Sequence, residues 1–209
     1  MESTLAAIRA AAGDAILLTG DGDAFSAGLN LKEVAGLDRP GLERFLGVLE
    51  DLVAALYTYP GPTIAWVNGH AIAGGCVLAM CCDLRVMTSR EGPRIGLNEV
   101  AIGVKYPPKV FQMVRARLRP PAIDRVVLDA ALYDARTALW LGLVDVVGDE
   151  IEALKRGAQL AALPRDAYAA AKHEIRGTLA DDPVRFRDEV VPYWASDEVK
   201  ARLSAVLKR

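Results

Sequence analysis

The stretch that most constrains the fold is Thr63-Ile64-Ala65-Trp66-Val67, followed by Asn68-Gly69 and then Ala73-Gly74-Gly75. The first five residues are rich in β-branched and aromatic side chains and read as a strand; Asn-Gly is turn chemistry. Gly74-Gly75 then opens the apolar run Cys76 to Cys82, which reads as a helix. A strand, a tight connection and a helix in succession is the repeating unit of α/β folds. Glycines at such a helix start let a neighbouring backbone or a ligand approach its unpaired N–H groups.

The same alternation recurs along the chain. Residues 3–12 read as a short helix, 15–19 as a buried strand, and Gly20-Asp21-Gly22-Asp23 as a turn cluster leading into the glycine-containing loop Phe25–Leu31. Leu42, Phe45, Leu46, Leu49, Leu52, Val53 and Leu56 recur at helical spacing. They predict an amphipathic helix over 41–58, stopped by Tyr59-Pro60-Gly61-Pro62. Residues 84–87 read as a strand and 94–97 as a short extended piece. After Pro107-Pro108, helices are expected at 109–118, 121–131 and 135–141, the last with Asp134 as N-cap, and a strand at 144–147. From about residue 150 onward the chain reads as helical, broken by Pro164, Pro183 and Pro192. The expectation is an α/β core over residues 1–148 and a helical region over 149–209 that caps the core or joins copies of the chain.

Composition excludes several classes. A net charge of −2 over 209 residues points to neither nucleic acid nor an acidic membrane surface as partner. No apolar run reaches bilayer-spanning length and no cleavable signal pattern is present, so a cytoplasmic location is the default. Cys76, Cys81 and Cys82 share one apolar segment without metal-site spacing and read as small core residues. His70 and His173 stand far apart without matching ligands and read as structural or surface residues. No metal site is expected.

Three places can carry chemistry. The loops Phe25–Leu31 and Ala73–Gly75 match neither the G-x-x-x-x-G-K-[ST] nor the G-x-G-x-x-G phosphate pattern. Their N–H groups can instead converge on an oxyanion that develops during a reaction; equally, Gly-Gly at a helix start can be a packing device. The third place, Gly96-Leu97-Asn98-Glu99-Val100, sets a carboxylate among apolar residues. It is either a solvated loop charge or a desolvated base.

Taken together the motifs resemble the crotonase superfamily, the enoyl-CoA hydratases and isomerases. The resemblance rests on Phe25-Ser26-Ala27-Gly28-Leu29-Asn30-Leu31, Asn68 to Cys76, Cys82-Asp83, Ile95 to Glu99, and Ala138 to Asp145. It implies a spiral of β-β-α turns with C-terminal helices that help build a homotrimer or a dimer of trimers. It implies an acyl-CoA thioester as substrate and no cofactor beyond the coenzyme A it carries. The backbone N–H groups of Ala27 and Gly74 map onto those that hold the thioester oxygen. Ala27, Gly28, Leu29, Asn30, Leu31, Gly74 and Asn98 map onto the substrate site, and Glu99 onto the acid/base.

Hydratases of this family carry a second glutamate where this chain has Val77. Ser-Ala-Gly-Leu, Ala-Gly-Gly-Cys and Gly-Leu-Asn-Glu are closest to the single-glutamate Δ3,Δ2-enoyl-CoA isomerases. The expected reaction is therefore isomerisation, the alternatives being another crotonase-type reaction (hydratase, decarboxylase or thioesterase) or a non-catalytic acyl-CoA-binding scaffold. Asn30 stands where many relatives have Asp, and the chain starts where the family has already formed its first strands. Lys109, Arg115, Arg117 and Arg119 read as a solvated helix face; Lys32 is the better candidate for a coenzyme A phosphate.

Overall fold

The computed structural model describes residues 1–11 and 15–207. Among these, seven strands make two parallel sheets. β1 (Ile16–Thr19), β3 (Thr63–Val67), β5 (Leu84–Thr88) and β7 (Val146–Gly148) form the larger, in that order. β2 (Ala24–Ser26), β4 (His70–Ile72) and β6 (Ile95–Gly96) form the smaller. The chain repeats one course three times: a strand in the larger sheet, a strand in the smaller, then helix. The first turn ends in α2 (Leu31–Gly36) and α3 (Arg39–Tyr57), the second in α4 (Gly74–Cys81), the third in α5 (Glu99–Ile102). This is the expected spiral of β-β-α turns. Parallel neighbours such as Ile64 opposite Leu84 and Ile72 opposite Gly96 cannot be joined by hairpins, so helices make the crossovers.

Local chemistry explains most boundaries. β3 is buried along its whole length, which is why its sequence is a continuous apolar run rather than an alternation. α3 is capped by Asp38, whose side chain accepts from the Gly41 N–H at 2.8 Å. It starts two residues before the apolar periodicity because Pro40 fits in a first turn, where no intrahelical N–H bond is made. α1 (Glu2–Ala10) packs on α3; Ala12, at the end of the expected first helix, lies outside the described residues. The Asp134 cap of α8 (Ala135–Leu141) forms as expected, accepting from Thr137 N at 2.8 Å.

Elsewhere the structure corrects the sequence reading. β2, β4 and α2 were not expected as regular elements. The helix expected to run to 131 is α7 (Ala122–Leu128), because Ala130 turns the chain at φ +49°. Tyr133 then bridges Ile95 at the edge of β6. Lys109 and Arg117, on α6 (Pro108–Arg117), are not a solvated face. Arg117 donates from Nε to Met80 O (3.0 Å) and from Nη2 to Cys82 O (2.9 Å), tying off the end of α4. Burial, then Arg85 and Arg176, pulls its pKa down to about 10. Lys109 pairs with Asp181 at 2.7 Å, and its backbone N–H donates to the buried Glu50.

Beyond β7 come α9 (Glu150–Ala161), α10 (Arg165–Arg176), a π-helical turn at Arg185–Val190, α11 (Val191–Ala195) and α12 (Asp197–Val206). Pro192 does not end a helix; it sits in the first turn of α11, directly after the π-helical turn. α9 packs on β3 and β5, while α12 packs on α2 and α5. α10 is fastened through Asp83, which accepts from Thr63 N, Thr63 Oγ1, Tyr168 OH and Lys172 Nζ at 2.8–3.1 Å. The other Asp83 oxygen meets Arg176 Nη2 at 2.6 Å. Cys76, Cys81 and Cys82 are buried, as small core residues should be. His70 has a structural contact, Nδ1 accepting from Arg94 N at 3.2 Å. No helix among the described residues is long and apolar enough to cross a membrane.

Candidate active site

The three chemistry-bearing motifs lie far apart in sequence, and the smaller sheet brings them together. Ala27 follows β2, Ala73-Gly74 follows β4, and Leu97-Asn98-Glu99 follows β6, with β4 central. All three strands are parallel, so their C-terminal ends open on one side, where α/β sheets place ligands. Backbone bonds lock the register: Ala71 N donates to Arg94 O and Ala73 N to Gly96 O, each at 2.9 Å.

The loops after β2 and β4 touch through their glycines. A Cβ on Gly28 (φ +92°) would lie 2.9 Å from Ile72 O and 3.3 Å from Gly74 N. A Cβ on Gly75 would strike Ser26 O at 2.1 Å, so the helix can dock on β2 only with glycine there. The packing reading of Gly-Gly is thus right for Gly75. Gly74 is different: it starts α4 and borders open space, and its N–H has no intrahelical acceptor. Ala73, at φ +50° and ψ −118°, holds the tight turn in a conformation that L-residues rarely adopt. The Gly28 N–H donates to Ser26 Oγ at 3.3 Å. Among the described residues, the N–H groups of Ala27 and Gly74 take no part in the turn and loop hydrogen bonds.

These groups line a cavity of about 220 Å³. Of the sequence-predicted residues, Ala27, Leu29, Leu31, Gly74, Asn98 and Glu99 face it. Gly28 and Asn30 border a wider neighbouring groove, with Leu29 as the wall between the two spaces. Asn30 acts as the N-cap of α2, accepting from Glu33 N at 3.3 Å. Lys32 is exposed in the first turn of that helix.

Glu99 is 8% exposed and is the single carboxylate lining the cavity among the described residues. Burial pushes its pKa from an ordinary 4.5 up to about 7, against the opposing pull of its own backbone N–H and the Tyr106 hydroxyl. Tyr106 OH donates to Glu99 Oε2 at 3.0 Å. Val77, 1% exposed, forms part of the same wall. The remaining lining is largely aliphatic, and the Asn98 Oδ1 is buried there without a hydrogen-bond partner among the described residues.

Sequence reasoning missed Tyr106, and it missed Trp194 and Val206, which reach the cavity from α11 and α12. The signal for Tyr106 was Gly103. That residue closes the four-residue α5 in a left-handed conformation (φ +74°), turning the chain back towards Glu99. No local signal marks Trp194 and Val206; their place follows from how the last helices fold over the core.

The enoyl-CoA hydratase/isomerase family is matched over residues 1–189. The chain belongs to that family. Among its relatives is a putative enoyl-CoA hydratase of Thermus thermophilus, 41% identical over 150 residues, covering 70% of this chain and 58% of that protein. Human mitochondrial enoyl-CoA delta isomerase 1 is 29% identical over 203 residues, covering 93% and 67%. The crystal structure of human mitochondrial Δ3-Δ2-enoyl-CoA isomerase superposes with a TM-score of 0.90 at 26% identity, covering 100% of this chain and 84% of that one. The chain thus spans less than two thirds of the Thermus relative and about two thirds of the human isomerase.

Proposed function

We propose that this family member acts on acyl-CoA thioesters as a Δ3,Δ2-enoyl-CoA isomerase, with Glu99 as its single acid/base. The observation that carries the reading is that Glu99 is the single carboxylate lining the cavity among the described residues, with Val77 in the same wall at the position where a second acid would have to stand. In a 3-enoyl thioester, the C2 protons are acidified by the carbonyl and by the double bond. The Glu99 carboxylate takes one of them, and the C–H electron pair forms the C1–C2 double bond of a dienolate. The thioester oxygen gains negative charge, which the N–H groups of Ala27 and Gly74 stabilise. Glu99, now a carboxylic acid, returns the proton to C4; the double bond settles between C2 and C3, and the carbonyl re-forms. Nothing is consumed, so no cofactor is required beyond the coenzyme A carried by the substrate. A pKa near 7 lets one group serve as base and then as acid at neutral pH.

Hydration is the second reading, favoured by the name of the Thermus relative. It requires a held water and a place for its proton, and the apolar Val77 wall offers neither. A paired assay decides. Purified protein is expected to convert a 3-enoyl-CoA to the 2-enoyl-CoA without forming a 3-hydroxyacyl-CoA from either substrate. Hydration without isomerisation would overturn the proposal, and tight binding without turnover on a broad thioester panel would point to a scaffold. The same reading includes assembly as a homotrimer or a dimer of trimers. The exposed Ile151 and Leu154 of α9 and Ile175 of α10 support a covered surface there; sedimentation equilibrium tests it, a monomer being the contrary result.

A further inference from the structure

We infer that Tyr106 is a positioning residue, which holds one oxygen of the Glu99 carboxyl so that the other alone shuttles the proton. The inference rests on the isomerase reading and deepens it. Tyr106 OH donates to Oε2 at 3.0 Å, both groups are buried, and both line the cavity. Among the side chains of the described residues, Tyr106 is the one that hydrogen-bonds this carboxyl. With Oε2 engaged by Tyr106, Oε1 is the oxygen left without a side-chain donor among the described residues. A proton taken from C2 and returned to C4 by the same oxygen moves along one face of the acyl chain. A freely rotating carboxyl would spread that path.

Tyr106 can hold this bond throughout the cycle. Burial, followed by the neighbouring Glu99, pushes its own pKa upward, so the phenol stays protonated whether Glu99 is charged or neutral. The bond is stronger to the carboxylate than to the acid and so also favours the resting base. The Glu99 backbone N–H also acts on the carboxyl, but it is the same in every Tyr106 variant; the neighbouring side chains do not duplicate the role of Tyr106. The Cys76 thiol on α4 is kept neutral by burial and by Glu99 itself. The Lys105 ammonium, at the rim, lies 4.8 Å from the centre of the Tyr193 ring. On α12, Arg202 lies against Gly103 and pairs with Glu198. On α7, Arg125 turns to Asp129 and the Trp140 ring.

The test is Tyr106→Phe, with Tyr106→3-fluorotyrosine as a second variant that keeps the hydroxyl and makes it a stronger donor. Two readouts are taken: the pH profile of isomerisation, and the titration of the Glu99 carboxyl by 13C NMR, assigned by its absence in Glu99→Gln. For Tyr106→Phe, both midpoints are expected to rise by about one pH unit. The rate plateau at high pH should fall while KM changes little. For the fluorinated variant, both midpoints should fall. Midpoints unmoved by either substitution would overturn the inference, as would a pure rise in KM. If Tyr106→Phe does not fold, the fluorinated variant alone decides. If the wild-type protein isomerises nothing, the isomerase reading fails, and the NMR titration still reports whether Tyr106 governs Glu99.

Discussion

Glu99 and Asp83 are both largely buried acids, and the fold supplies them in opposite ways. Asp83 has two cations, Lys172 and Arg176, together with the Tyr168 hydroxyl and two donors from Thr63. Glu99 has one phenol, its own backbone N–H and a largely aliphatic wall, with the Lys105 ammonium only at the rim. A carboxylate with that many donors serves to fasten α10 to the sheet. A carboxylate deprived of cations sits near neutrality and can exchange a proton. The two lie sixteen residues apart, in motifs that look equally plain in the sequence. What separates them is the company that the fold brings to each.

Substitutions that exchange or abolish these environments test the contrast. The largest effect is expected for Glu99→Gln, which keeps the shape and removes the proposed base. Turnover of a 3-enoyl-CoA should fall by roughly 10³-fold, the scale of general acid–base catalysis, while binding of the acyl-CoA measured by calorimetry persists. For Asp83→Asn the effect should be on stability instead. It leaves Lys172 and Arg176 as buried cations without their acid, a loss of about 3–5 kcal/mol, read by urea unfolding. The activity of the fraction that remains folded should be unchanged.

The third prediction concerns pH. The folded state raises the pKa of Glu99 from 4.5 to about 7, so it binds that proton more tightly than the unfolded chain does. The contribution is fully present below about pH 4.5 and is lost as pH rises through 7. Ionised Glu99 therefore destabilises the protein by about 3 kcal/mol above pH 7. Glu99→Gln should be more stable than the wild type at pH 8, with the difference vanishing near pH 4. A parallel loss in both proteins would place the destabilisation elsewhere. The smallest effect is expected at Ala73. Ala73→Gly relieves the positive φ of the turn at the mouth of the cavity, and the unfolded chain's greater freedom offsets much of that gain. Stability should change by under about 1 kcal/mol, measured by thermal unfolding.

Much of this was legible before the fold was known. β3 and the cap of α8 follow from local chemistry, and α3 is displaced only by what Pro40 permits. The three site motifs were visible as motifs. What the sequence hid depends on distant partners. β2 and β4 are three residues each and owe their strand character to pairing across the smaller sheet, which leaves no periodicity to read. Arg117 looked solvated because the carbonyls it ties off belong to a helix end some 35 residues earlier. The pairing of Asp83 with Lys172 spans 89 residues, so nothing near Asp83 announces its cations. Glu99 could be read as a solvated charge or a base, and only the apolar wall around it decides between them.

The most direct test is proton exchange in D2O. Wild-type protein incubated with a 3-enoyl-CoA should form the 2-enoyl-CoA, with deuterium entering at C2 and C4 to the extent that the Glu99 proton exchanges with solvent before it is returned, and Glu99→Gln should lose product and exchange together. Undiminished exchange in Glu99→Gln, or a 3-hydroxyacyl-CoA as the wild-type product, would contradict a single buried carboxyl working opposite two main-chain donors.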